Sequence, residues 1–331
     1  MQRVGQLVEV PPLLRELGAE PATVLKRVGL SMADLADPER RLPYKSIAAL
    51  LGESARASGC SHFGLLLGSR WRLEHMGLPG QLAASCATVG QALQTFTSLH
   101  WLNASGGVAY LGRSDGVTTL GYAVYEPGIT DGLQHIYDCT LAIGVQMLRQ
   151  LSGNGRWTPS VVRLARVRPP GARPYQQIFG APIEFDAERS GLDFPTAFEY
   201  CRVPSADETR RRELDRLLAA VPREAMVLKL YRMIRVAMVF GLTSGDGVAA
   251  AMGLTRRTLN RRLGEHGTTF QAALATVRFE VARQLLRDTG MPVSQIALAL
   301  GYAELAPFVR AFRRWSGQSP AGWRTSASRA A

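Results

Sequence analysis

The feature that most constrains this chain is a pattern written twice in its last hundred residues: a short apolar helix, a glycine corner, and a second helix studded with arginine. The first copy is GDGVAAAMGLTRRTLNRRLG, about residues 245–264. Residues 248–252 read as its short helix, and Gly253 stands at the corner, where a residue able to take positive φ is wanted. Thr255 is placed as N-cap of the helix that follows. On that helix Leu259 and Leu263 face inward one turn apart, leaving Arg256, Arg257, Asn260 and Arg261 outside. Arginine and asparagine hydrogen-bond guanine and adenine edges bidentately in a major groove, so this is the composition of a recognition helix. Arg262 is expected on phosphate or on a neighbouring helix.

The second copy is PVSQIALALGYAELAPFVRAFRRWSG, about residues 292–315. Ile296, Ala297 and Leu300 are apolar on its first helix, Gly301 marks the corner, and a second helix is expected over 304–315. Leu305, Phe308 and Phe312 are expected to pack inward. Glu304 at the helix start, with Ala306, Pro307, Arg310, Arg313 and Arg314, lies on or near the outer face, available to bases and phosphates. Between the copies, TFQAALATVRFEVARQLLRD reads as one helix of about 20 residues, or about 30 Å. One turn of B-DNA is about 34 Å, so the two recognition helices could enter successive major grooves of a double-stranded promoter or operator.

Charge supports that partner. The chain carries +12 overall, and from Tyr231 onward it has fourteen Arg, no Lys and five acids, giving 14 − 5 = +9 and leaving +3 for the preceding 230 residues. A basic block can be a solvated surface, and a three-helix unit with glycine turns can bind protein. Two units in tandem with arginine-rich outer faces point instead to DNA.

Over residues 248–324 the chain resembles the AraC/XylS family of bacterial transcriptional regulators. Leu259, Arg261, Leu263, Gly267 and Phe270 match the first unit's pattern, and Arg278, Ala282 and Leu286 match the linker helix. Ile296-Ala297, Leu300-Gly301-Tyr302, Phe308, Arg310-Ala311-Phe312, Trp315, Gly317, Ser319-Pro320 and Arg324 match the second. The resemblance implies a sequence-specific regulator, by family habit an activator that touches RNA polymerase and forms a homodimer. Family members commonly carry Ser where this chain has Ala303, a missing cap worth about 1 kcal/mol of local stability.

The first two-thirds differ in texture. Residues 1–70 are helical in periodicity, and VAYLGR and VTTLGYAVY, separated by Ser114-Asp115-Gly116, read as a β-hairpin. A long helix is expected from Asp131 to the Ser152-Gly153-Asn154-Gly155 stop, with VVRLARV and IEFD as further strands. The fold class is therefore an α+β sensor domain over 1–225, followed by an all-α DNA-binding domain over 226–331. LPYKSIAALLGESA, residues 60–68 and residues 125–150 resemble the ligand-sensing or dimerisation domain of AraC-type regulators, in the group that includes ornithine-utilisation and some virulence regulators. That resemblance implies a small organic effector. Trp101, Tyr122, Tyr125, His135 and Tyr137, near the sheet and long helix, are the candidate pocket residues, with a core role as the plain alternative.

Other classes find little support. No apolar run approaches the roughly 18 residues that span a bilayer, and MQRVGQLVEVPPLLRELG is broken by charge before a signal-type core could form, so the cytoplasm and no membrane partner are expected. Cys60, Cys86, Cys139 and Cys201 form no CxxC pair, and reduced thiols are expected. His135 and Cys139 share a helix face at i and i+4, but no further ligand stands at metal spacing, so neither metal nor cofactor is assigned. There is no phosphate loop, HExxH or nucleophile elbow, and Gly245-Asp246-Gly247 lacks both the third glycine and the preceding strand of a dinucleotide fingerprint. The expectation is a regulator and not an enzyme. The surviving alternative is a constitutive or architectural DNA binder without effector.

Overall fold

The computed structural model of the chain describes residues 1–126, 128–129, 131–222 and 225–330. Its first two-thirds are built on a five-stranded sheet of β3 (Gly107–Ser114), β4 (Val117–Val124), β5 (Val161–Arg163), β6 (Ile183–Glu184) and β7 (Ser190–Pro195), after a short ribbon of β1 (Gln2–Arg3) and β2 (Arg41–Leu42). The order is β3-β4-β7-β5-β6, antiparallel except for the β5–β6 pair. The expected hairpin is β3–β4. Asp115 and Gly116 both hold positive φ, 49° and 76°, as a two-residue turn matched to strand twist requires. VVRLARV and IEFD contribute β5 and β6.

Strand β7 had no counterpart among the expected elements, although it joins the hairpin to β5. Its sequence, SGLDFP, opens on Ser-Gly and closes on Pro, which reads locally as loop. Gly191 is nevertheless needed there: a Cβ would come within 2.9 Å of the Thr119 methyl on the paired strand.

The helix Leu133–Ser152 lies across one face of the sheet, between glycine caps at Gly132 and Gly153 with φ of 73° and 67°. Leu120 and Leu192 of the sheet reach Gly144 at its centre. Its other side receives the helix Phe63–Ser69 at close range. A Cβ on Gly64 would fall 2.2 Å from the carbonyl oxygen of His135, and one on Gly68 would fall 2.3 Å from that of Cys139. Helices Tyr44–Ser58, Gly77–Ala84 and Val89–Leu99 complete this layer.

The sheet's opposite face is also covered. Val108, Tyr110, Ala123 and Tyr125 are buried against Tyr231, Val236 and Val239 of the helix Met226–Val239, which belongs to the second hydrophobic core. That core runs on through the helices Gly245–Ala251, Arg256–Glu265, Phe270–Asp288, Val293–Ala299 and Leu305–Ser316. Before it, the helix Glu208–Ala219 is capped by Asp207 and buries only Leu214. The architecture is thus α+β followed by all-α, with two helix-turn-helix units joined by a linker helix.

The glycine contacts generate a test. Gly64→Ala drives a methyl into backbone and is expected to cost about 3 kcal/mol or more. Gly264→Ala, on a helix surface with nothing within 4 Å, is expected to add roughly 0.5–1 kcal/mol to its local helix. Urea unfolding of the two variants checks the opposite signs.

Candidate nucleic-acid interface and ligand cavity

In the first unit, Ser244 caps the helix Gly245–Ala251, its Oγ accepting from Gly247 N at 3.1 Å. Gly253 takes φ of 73° at the corner. Thr255 then caps the recognition helix Arg256–Glu265, Oγ1 accepting from Thr258 N at 3.2 Å. Leu259 and Leu263 are fully buried, and Arg257, Asn260 and Arg261 are exposed, as their spacing requires. Arg261 is ion-paired with Glu265 one turn on. Such an exposed pair is weak enough to exchange for a phosphate or base.

Arg256 departs from the outward placement expected of it. It is half-buried, and its guanidinium lies 4.5 Å over the Phe270 ring at the start of the linker helix. At the first position of a helix the side chain leans back over the preceding turn. Gly245 leaves the room, since a Cβ there would stand 0.8 Å from Arg256 Nη1. Arg256 is placed to fasten the recognition helix to the linker through a cation–π contact.

The second unit repeats the plan, with Gly301 at φ 76° and Phe308 and Phe312 fully buried. Glu304, Ala306, Arg310, Arg313 and Arg314 are exposed, and Pro307 is half-buried. Two expectations are corrected. Leu305 is 44% exposed because it is the first helical residue and lies outside the inward stripe of Phe308 and Phe312. The N-cap is Glu304, whose backbone is extended and whose side chain makes no cap hydrogen bond, so Ala303 stands one residue ahead of the cap.

The linker helix Phe270–Asp288 has 19 residues, about 28 Å of rise. Arg278 holds the second corner, Nε donating to Leu300 O at 2.9 Å with the guanidinium 4.6 Å over the Tyr302 ring. Arg324 closes the unit by donating to Leu286 O and Met291 O at 3.1 and 2.6 Å. The linker's other side meets the sheet domain. Tyr137 Oη accepts from Val124 N at 3.2 Å and donates to Gln284 Oε1 at 3.1 Å, both buried. Arg287 Nη1 donates to Ile129 O at 3.3 Å and Glu280 Oε2 accepts from Gly128 N at 3.2 Å, while from the neighbouring helix Met226–Val239 Arg235 Nε donates to Val124 O at 3.2 Å.

Between β1, the helix Tyr44–Ser58, the helix Leu133–Ser152 and the sheet lies a cavity of about 120 Å³. Trp71, Phe96, His100, Tyr44 and Tyr122 supply rings to its wall, the two tyrosine hydroxyls 3.0 Å apart. Of the five candidate pocket residues, only Tyr122 lines it. Tyr137 stands behind Tyr122, ring centroids 6.3 Å apart, and serves the linker contact. Tyr125 is buried on the opposite sheet face, under the helix Met226–Val239. His135 is buried on the long helix away from the cavity, and Trp101 is half-buried in the single turn His100–Leu102, where its neighbour His100 faces inside. Proximity to the sheet selected these residues, but only the strand and helix phases decide which face each one serves. Gln6 and Tyr44, which do line the cavity, lie in the first seventy residues, whose helical periodicity reads as ordinary core, and His100 lies in a stretch to which no element is assigned from sequence.

This geometry defines a DNA-binding regulator: tandem helix-turn-helix units on a shared linker helix, attached to a sheet domain that encloses a cavity. Comparison with known proteins agrees. Residues 18–201 match the family described as the arabinose-binding domain of AraC transcription regulator, N-term, and residues 248–326 match a helix-turn-helix domain. The chain belongs to the AraC family of transcription regulators, and it is a DNA-binding regulator, not an enzyme. It is 28% identical over 324 residues to the HTH-type transcriptional regulator VirS of Mycobacterium tuberculosis, covering 94% of this chain and 93% of that one. It is 26% identical over 328 residues to the ornithine utilization regulator of Pseudomonas aeruginosa, covering 94% and 93%. The crystal structure of the transcriptional regulator CdpR from Pseudomonas aeruginosa aligns over 94% of this chain and 97% of that one, at 24% identity and a TM-score of 0.45.

Burial sets an acid response. It pushes His100 and His135 down to about 4, so below pH ~6.5 the unfolded chain takes up protons that the folded one refuses, and stability falls. Asp138 acts in the opposite sense, raised to about 6 by burial although Arg166 and Tyr175 bond it at 2.7 and 2.6 Å. These three groups alone leave a net loss of about 1.4 kcal/mol per pH unit between about pH 6 and 4, and His62, His75, Glu39 and Glu199, all lowered, add to it in the same sense. Urea unfolding at half-unit steps measures it, and a flat profile would contradict buried neutral imidazoles.

Proposed function

We propose that this regulator reads a bipartite promoter site, one half-site per helix-turn-helix unit, and that a small organic effector bound by residues 1–225 controls its occupancy through residues 226–331. The observation that carries the reading is the linker helix, which touches both units on one side and the sheet domain through Tyr137–Gln284 on the other. Thr255, Arg257, Asn260 and Arg261 are assigned to DNA in the first unit, and Glu304, Ala306, Pro307, Arg310, Arg313 and Arg314 in the second. Arg256 acts there through Phe270. The protein works in the cytoplasm as an activator that contacts RNA polymerase, as a homodimer. Effector binding alters either dimerisation or the packing of the sheet domain on the linker. No helix among the described residues is long and apolar enough to cross a membrane.

Two experiments test the DNA reading. Sequencing genome fragments retained by the purified protein at two salt concentrations is expected to yield one recurrent motif with half-sites about 10 bp apart, weakened progressively by salt. Uniform recovery without a motif would leave a basic DNA-coating protein. On the recovered site, Arg257→Ala or Asn260→Ala is expected to lose about 1–3 kcal/mol and to relax preference at one base pair. Equal loss on every sequence would assign those residues to phosphate.

A further inference from the structure

Four residues that line the cavity carry a buried polar atom with no hydrogen-bond partner among the described residues: Gln2 Oε1, Gln6 Oε1, His100 Nδ1 and Asn103 Oδ1. Gln6, His100 and Asn103 are only 8%, 7% and 5% exposed. A buried polar group left unpaired is costly, so a cluster of them beside a space marks where a partner belongs. The orientation of Gln6 is set by its other end, Nε2 donating to Leu67 O at 2.6 Å. His100 is neutral, held down to about 4 by burial and by the charge of Arg232, and a hydrogen bond to the Gly107 backbone engages its ring. Its Nδ1 is then a lone-pair acceptor.

Every atom in this cluster accepts, and the charged group at the wall is already matched. Arg3 spends Nε and Nη2 on Glu39 at 2.8 and 2.5 Å and Nη1 on His75 O at 2.5 Å. A carboxylate ligand would bring more acceptors to a place that has them in excess. An ammonium would meet the positive field that already acts on His100, with Glu39 committed to Arg3. A pure hydrocarbon would leave all four atoms dry. At about 120 Å³ the cavity has room on the scale of a single aromatic ring.

Building on the effector reading above, we propose that this cavity takes a small, uncharged, largely apolar molecule bearing a hydroxyl donor, an alcohol or phenol of about one ring. The hydroxyl donates its single proton to one of these acceptors, Gln6 Oε1, and the ring lies among Trp71, Phe96 and Tyr122.

Calorimetric titration of the full-length protein at pH 7 with benzyl alcohol, toluene, benzoate and benzylamine tests this class. Benzyl alcohol is expected to bind about tenfold or more tighter than each of the others, the equivalent of about 1.4 kcal/mol. Gln6→Leu, checked for retained operator binding, is expected to shrink its advantage over toluene to about threefold. Should the variant fail to fold, the wild-type series decides alone. Toluene binding as well as the alcohol, benzoate or benzylamine binding best, or no probe binding, each overturns the proposed class. The effector reading is judged separately, by whether any small molecule changes operator occupancy. Tight alcohol binding with unchanged occupancy would support the class while removing its regulatory meaning.

Discussion

The rest of the structure depends on the close approach of two helices at Gly64 and Gly68. With no side chains there, the helix Phe63–Ser69 rests directly on the backbone of Leu133–Ser152 at His135 and Cys139. Packed interiors tolerate little adjustment, so this contact fixes both the height and the rotation of the long helix. Its rotation in turn decides what each face does. Ile136, Cys139, Gly144 and Met147 form cavity wall, while Tyr137, one residue from Ile136, is carried to the linker helix.

The hairpin β3–β4 performs the same division with a period of two. Ala109, Leu120 and Tyr122 face the cavity, and Val108, Tyr110 and Ala123 face the helix Met226–Val239. Both faces are therefore apolar, unlike an antiparallel hairpin with one face in water. Small residues admit the large ones. Gly121 yields to the Tyr110 ring, and Gly107 yields to the Tyr122 hydroxyl, which a Cβ would approach to 2.1 Å in each case. The wall between the cavity and the helix Met226–Val239 is therefore a single layer of strand, and on its cavity side Tyr122 meets Tyr137 of the long helix in edge-on contact.

What could be read from the residues alone followed the range of the interactions involved. The helix-turn-helix units are local: a cap three residues from the N–H that donates to it, a glycine corner, leucines one turn apart. Thr255, Gly253, Leu259 and Leu263 were therefore legible. The inner sheet was only partly so. Strand β7 is specified by its neighbours on either side, not by its own turn-like composition, and Gly191 signals a loop until Thr119 is placed beside it. The cavity was least legible of all. Its polar wall draws on residues a hundred positions apart, Gln2 and Gln6 with His100 and Asn103, brought together by the ribbon at the start of the chain and its bridge from Gln2 to Ala104. Arg256 shows the complementary case, where a residue type suited to DNA is drawn onto Phe270 fourteen positions away.

The linker helix leaves few of its sides unoccupied. Arg278 and Phe279 pack toward the second unit, while Glu280, Gln284 and Arg287 turn to the sheet domain. Met226–Val239 is likewise shared, buried in the DNA-binding core through Leu230 and Ile234 and against the hairpin through Val236 and Val239. A chimera that grafts these last hundred residues onto another regulator's sensor would thus inherit half of an interface with nothing to meet it. Swapping specificities in this protein calls for transplanting the recognition-helix surface residues alone, leaving both shared helices native.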